Sequence, residues 1–405
     1  MLHVLQEGLG ELRRRPPTQV PALDAIRAAA ILLVVGGHFA KEVWHVGGAP
    51  DIAIQQLPLF TQGWTGVDLF FILSGYLIGR QLWKELFSTG DVQVGRFILR
   101  RGFRIWPLYF FFLLVILLFR ARHEFLWPDW LFLSNYLGGA LPGGWSLSTE
   151  EQFYISVPLL LALFKRRLSG GQWMAVLGGL LLLELTARKV TIDELRLQGL
   201  TGKELSASVQ YQFHLHCEGL LTGLAIALAS VWKPHWFRRA ANAGFSWAGF
   251  AIFAAASAFG LTLRSVDKYV YSLLALAMVY GGFTLWALLD RSLLSRPLAS
   301  RFFYPISRLS YGMYLNHLFF MPTFAVVFTP ILLQRLGGGT FAFVAGLVFS
   351  IMVSVTIAAV TFVLIEHPFL HLRQQWLAGR DRAVVALPVE EPPTSRSATG
   401  AGTPG

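Results

Sequence analysis

The chain has 405 residues, of which 54% are hydrophobic and only 14% charged, with 33 Phe and 13 Trp and a mean hydropathy of +0.53. A water-soluble core of this size needs more charged surface, so the composition describes a polytopic membrane protein and excludes an ordinary soluble enzyme. The formal net charge of +11 comes with no aromatic-basic array or nucleic-acid-binding signature, so it reflects membrane topology and not a nucleic-acid partner.

Apolar stretches predict an all-α polytopic membrane fold of about ten transmembrane helices, at 22–40, 64–84, 105–120, 147–164, 172–187, 211–231, 244–263, 269–289, 306–328 and 340–366. With both termini cytoplasmic, the basic connections 13–15, 80–104, 165–167, 233–239, 291–301 and 373–382 face inward. They carry 21 Lys and Arg against 10 in the outward connections, which is the positive-inside pattern of a multi-pass protein of the inner (plasma) membrane. The stretch 125–142, with Trp127, Pro128, Trp130 and the Gly138-Gly139 pair, is too broken to span and reads as interfacial or re-entrant. No small-residue cleavage site follows the first span, so the N-terminus reads as uncleaved. Residues 1–19 form a cytoplasmic segment, 20–375 one membrane domain, and 376–405 a Pro-, Ser-, Thr- and Gly-rich disordered cytoplasmic tail. The single cysteine, Cys217, forbids an intramolecular disulfide and reads as helix packing.

Arg27 and His38 both lie in the first span, where a cation and an imidazole are expensive to hold in lipid. Eleven residues advance a helix by about 16 Å and return it to within about 20° of its starting azimuth, so both side chains leave one face. Either Arg27 snorkels and His38 caps the far end, or one helix presents an anion binder and a titratable base at two depths. Asp68, opening the second span in the run GVDLFFILSGY from Gly66 to Tyr76, either caps that helix or orients the His38 imidazole; Ser74 and Gly75 read as packing residues. Arg101 and Arg104 stand i,i+3 at the mouth of the third span, side by side as phosphate ligands would be. Glu150 and Glu151 enter the fourth span about 100° apart, so one is expected to face a shared cavity while the other caps or meets water.

At this point the ordered blocks Leu23-Asp24-x-x-Arg27 with His38, GVDLFFxLSGY, RRxxRIxP, WSLSxEEQFY, Tyr311-x-x-Tyr314-Leu315-x-His317 and Ile365-Glu366-x-Pro368 resemble the acyltransferase-3 family over residues 20–375. The resemblance implies an integral membrane acyltransferase that moves an acyl group to glycans or other carbohydrate-bearing acceptors. It implies Arg27 and His38 as the functional signature, Arg101 and Arg104 on the acyl donor, and the Glu150/Glu151 block in the active region; the residues themselves then suggest Arg27 on the donor phosphates and Asp68 or Glu150 orienting His38 at the chemistry. Glu151, Glu218 and His317 are supporting candidates; Glu218 stands in His216-Cys217-Glu218 where many relatives have Arg-x-Asp. The expected donor is cytoplasmic acyl-CoA as co-substrate, with no resident cofactor. It would bind by its phosphates, with its pantetheine arm threading from the arginines to His38, which acts as general base or transient acyl carrier.

Other polar groups read more plainly. His214 and His216, i,i+2 on the expected sixth helix, point apart and make no metal site. Glu366-His367-Pro368 is expected to close the tenth helix, with the proline ending it and the carboxylate clasping an arginine. Trp127, Trp130, Tyr136 and Trp145 form either an interfacial belt or a sugar-stacking platform. The competing classes are a transporter or flippase of an anionic or glycan-linked substrate, and a glycosyltransferase using a lipid-linked donor. Against the first stands the lack of duplicated halves; against the second, Asp68 with Glu150 is a thin acidic site.

Overall fold

The computed structural model describes residues 2–16, 20–45, 57–119, 126–242, 265–289, 297–336 and 339–385, and among them there is no strand. Eleven helices organise it: α1 (Leu2–Arg13), α2 (Pro21–His45), α3 (Gly66–Thr89), α4 (Val94–Phe119), α5 (Gly144–Phe164), α6 (Gly170–Leu197), α7 (Glu218–Trp232), α8 (Ser265–Leu289), α9 (Phe303–Leu336), α10 (Gly339–Thr361) and α11 (His367–Val385). Helices satisfy every backbone donor internally, as hydrocarbon demands. Four segments, Pro21–Val43, Val94–Phe119, Val270–Leu289 and Gly339–Trp376, are long and apolar enough to cross a membrane. The other long helices carry ionisable residues: Asp68 in the first turn of α3, and, further in, Glu150 and Glu151 in α5, Glu184 and Arg188 in α6, and His317 in α9. Those residues lower the hydropathy of their helices and mark where polar surfaces meet inside the bundle.

α2 sits at the centre, packed on α3 and α9, while α3 packs on α7, and α9 on α10. The α3–α7 contact is the tightest in backbone terms. A Cβ on Gly75 would lie 2.1 Å from the Leu220 carbonyl oxygen, and one on Gly223 2.1 Å from that of Ile72, so the two backbones touch. Gly90, at φ +85°, ends α3 by donating its N–H to Leu86, the left-handed cap that glycine favours. α4 then turns back without packing closely on α3; it leans instead on α5 and α11. A groove is left between these consecutive helices.

Several expectations change. The expected span at 244–263 and the tail beyond 385 lie outside the described residues. The stretch 126–142 holds two short helices, Trp127–Trp130 and Ser134–Leu137, joined by turns. The expected helix 211–231 begins only at Glu218, because Phe213–Leu215 form a 3₁₀ turn ahead of it. Pro368 does not end the final helix: a π-turn over Phe362–Glu366 precedes it, and α11 continues to Val385. The widened turn accommodates the proline ring and its missing donor. Ten residues assigned to the tail are therefore helical, anchored where Trp376 meets Phe103 at 6.4 Å between ring centroids.

Candidate active site

A cavity of about 330 Å³ opens between α2, α3, α4, α5 and α9. Arg27 from α2 and Arg101 and Arg104 from α4 all line it, together with Glu150 and Tyr154 from α5. The i,i+3 spacing on α4 brings Arg101 and Arg104 to one wall, as the sequence implies. Among the described residues no carboxylate lies within ion-pair distance of these three guanidinium groups. Asp24, one turn before Arg27, is drawn the other way: it pairs with Arg15 at 2.9 Å and accepts the Ser307 hydroxyl at 3.0 Å. Arg101 instead sits 5.9 Å from the Tyr154 ring centroid and 5.8 Å from that of Phe97. Three cations converging on an empty, half-apolar space suit a multiply charged anion.

The carboxylate question left by the sequence has an answer in rotation about α5. Glu150 faces the cavity, accepting the Ser74 hydroxyl at 2.6 Å and the Tyr154 hydroxyl at 3.1 Å. Glu151 does not meet water; it is only 4% exposed and accepts the Trp106 indole N–H at 3.2 Å. Ser74, expected to be packing alone, is the link between α3 and Glu150.

His38 stands beyond the cavity. His38, itself only partly buried, is not among the lining residues; between it and Tyr314 stands the His317 ring, 5.7 Å from Tyr314 and 5.2 Å from His38 by centroid. The cavity lined by Arg27 therefore stops short of His38 at Tyr314, whose hydroxyl is held by Ser146 and the Gly143 carbonyl.

The partners of His38 also differ from expectation. Neither Asp68 nor Glu150 orients it; His317 does. The His317 Nδ1 lies 2.8 Å and 3.1 Å from the carbonyl oxygens of Tyr314 and Met313, so that nitrogen carries the proton. In a neutral ring the His317 Nε2 is then an acceptor, 3.3 Å from the His38 Nδ1, which also faces the Val34 carbonyl at 2.9 Å. Facing two acceptors, the His38 Nδ1 must donate. That fixes the tautomer and leaves the His38 Nε2 with its lone pair, the form that a base or a nucleophile needs.

Asp68 turns toward α7, against which the backbone of α3 is pressed, and bonds the His216 Nε2 at 2.8 Å. The His216 Nδ1 faces the Gln210 carbonyl. With an oxygen on each side, the ring can donate from both nitrogens at once, as an imidazolium does. Burial opposes the charge on His216, but Asp68, with Glu218 and the Gln210 carbonyl, outweighs it and raises the group above its ordinary value. His214, half exposed beside Tyr136, is lowered by burial; the two rings stack at 5.7 Å. Trp145 stacks on His216 at 5.7 Å and meets Tyr211 at 5.0 Å.

Glu218 belongs to a separate buried cluster. Arg188 donates to Glu218 at 2.6 Å, to Glu184 at 3.0 Å, and to the carbonyls of Leu215 and Val270 at 2.8 Å and 3.0 Å. This ties α6, α7 and α8 together and keeps Glu218 away from the arginine cavity. Sequence reasoning missed Arg188 and Glu184, although an i,i+4 pair of opposite charge inside an apolar helix was the available signal. It also passed over the roles of Tyr154 and Tyr314, which lie inside its own motif blocks.

Comparison with known proteins bears on this arrangement. The aligned segments cover 35–37% of this chain, which spans only about a quarter, 24–26%, of the curated relatives it matches. A Staphylococcus aureus (strain COL) protein provisionally named as an O-acetyltransferase is 32% identical over 164 residues. The peptidoglycan O-acetyltransferase OatA of Listeria monocytogenes is 28% identical over 168 residues, and the O-acetyltransferase OatA of S. aureus (strain NCTC 8325) 28% over 173. No solved structure matches at a significant level. The profile of the acyltransferase domain matches residues 20–359, which takes in α2 to α9, both histidines and all three cavity arginines; the chain belongs to the acyltransferase-3 family.

Proposed function

We propose that this acyltransferase moves an acyl group, in the first instance acetyl, from cytoplasmic acyl-CoA to a hydroxyl of a glycan or glycosylated acceptor. The protein crosses the inner membrane ten times with both termini in the cytoplasm. The observation that carries the reading is the convergence of Arg27, Arg101 and Arg104, without carboxylate partners, in a cavity that leads to Tyr314 and the His38–His317 pair. The phosphates of the donor lie at the arginines, and its thioester reaches toward the histidines, about 16 Å along α2 from Arg27. The likeness to peptidoglycan O-acetyltransferases supports a carbohydrate acceptor.

In the direct route the acceptor oxygen attacks the thioester carbonyl while the His38 Nε2 takes the hydroxyl proton. The carbon–sulfur bond breaks, and the departing CoA thiolate receives that proton. In the covalent route the Nε2 attacks the thioester carbonyl and the carbon–sulfur bond breaks to release CoA thiolate; the acceptor oxygen then takes the acyl group from the nitrogen, and its proton ends on the thiolate. Tyr314 stands between the cavity and the histidines, so the thioester has to pass its side chain to meet His38.

The test uses purified protein in proteoliposomes with radiolabelled acetyl-CoA and a membrane glycan fraction, following thiol release and labelled product. His38→Ala is expected to abolish both, and Arg27→Gln to raise KM for acetyl-CoA. Normal transfer by His38→Ala, or label crossing the membrane with no product formed, would sink the reading.

A further inference from the structure

The arginine cavity continues along α3 and α4. On α3 the face that lines it, through Ser74, Leu77 and Ile78, runs on at the same helical spacing through Gln81, Glu85 and Thr89, which wall a second cavity of about 320 Å³. On α4 the sequence of wall residues runs from Arg104 and Arg101 to Arg100, Phe97 and Arg96. The two cavities are therefore successive compartments of the groove left between these helices. Arg101, beside the Phe97 ring at 5.8 Å, stands at their junction.

The second compartment has a cationic wall of its own. Arg96 and Arg100 are i,i+4 on α4 and flank buried Phe97. The Arg100 Nε is buried and has no hydrogen-bond partner. The acidic residue opposite, Glu85, accepts the Gln93 N–H at 2.9 Å, which directs its carboxylate to the first turn of α4. Each step from Arg104 to Arg100 to Arg96 is about one helical turn, or about 6 Å. A ligand with one anionic group at the three-arginine site and another a short way further along the groove would meet both sets.

From this continuity we infer that the second compartment holds the 3′-phosphorylated nucleoside end of acyl-CoA, with Arg96 and Arg100 on the 3′-phosphate and the 5′-diphosphate at Arg27, Arg101 and Arg104. The inference rests on acyl-CoA being the donor. A phospholipid headgroup offers the same phosphate chemistry, and the experiment separates the two.

Full-length protein in nanodiscs of zwitterionic lipid is assayed with acetyl-CoA and with 3′-dephospho-acetyl-CoA. Wild type is expected to favour acetyl-CoA in kcat/KM by about tenfold or more, as for a charge-assisted contact. In Arg96→Gln and Arg100→Gln that ratio collapses toward one through KM, and Arg100→Lys, which keeps the charge, retains part of it. Equal use of both donors by wild type, or variants that discriminate as wild type does, overturns the assignment while leaving acyl-CoA as donor. Equal loss for both donors, restored by adding phosphatidylglycerol, overturns it in favour of a lipid headgroup. No turnover of acetyl-CoA by wild type overturns this inference together with the proposed function.

Discussion

His317→Phe tests whether the second histidine sets the first. The phenyl ring fills the same buried space but has no acceptor for the His38 Nδ1–H, which keeps only the Val34 carbonyl. The lost contact is a single neutral hydrogen bond, long at 3.3 Å and worth about 0.5–1.5 kcal/mol. At about 1.4 kcal/mol per factor of ten, kcat should fall by about two- to twelvefold. KM for acetyl-CoA should hold, because the arginines lie on the far side of Tyr314. His317→Gln, whose side-chain oxygen can accept the same proton, should recover most of the rate. Thiol release from acetyl-CoA by protein in nanodiscs reads both parameters. Full kcat in His317→Phe, a glutamine variant no better than phenylalanine, or a loss confined to KM would each refute the argument.

Three further outcomes follow from the packing. Arg188→Met leaves Glu184 and Glu218 buried together without their cation and should destabilise the fold by about 3–5 kcal/mol, seen as a lower unfolding temperature in detergent. Combining it with Glu184→Gln and Glu218→Gln should restore much of the loss. Gly75→Ala drives a methyl into the Leu220 carbonyl and should cost about 1–3 kcal/mol; an unchanged melting curve would mean that α3 and α7 are not pressed together. The protonated His216 ring, raised above its ordinary 6.5, contributes stability that is full below about pH 6.5 and is lost as pH climbs through the raised value. The difference in unfolding temperature between wild type and His216→Asn should therefore be greatest below that pH and shrink above it, and a difference flat across pH would contradict the Asp68 pairing.

Periodicity and charge carry the all-helical fold and the pairing of Arg101 with Arg104 on one wall, because a residue and its i+3 or i+4 neighbour share a face whatever else surrounds them. Arg101 and Arg104 share a wall on that basis, and Arg27 joins them from another helix. Pairings between helices were not readable in the same way. From the sequence Asp68 either caps its helix or orients His38, yet helix rotation sends it to His216, and the touching of Gly75 and Gly223 with their opposing backbones holds that rotation. The choice between Glu150 and Glu151 depended likewise on the azimuth of α5. His317, which bonds His38, lies 279 residues away in the chain, and no local spacing connects them. The π-turn before Pro368 was hidden because the apolar pattern runs across it unbroken.

With Gly75 and Gly223 seated directly on opposing carbonyl groups, α3 cannot tilt without dragging α7 along, so it behaves as a fixed jaw. Its counterpart α4 contains Pro107, which removes a ladder bond and supplies a natural bending point. Of the guanidinium groups that line the space between them, those of Arg101 and Arg104 lie on α4 just before that point, whereas Arg27 stays with α2.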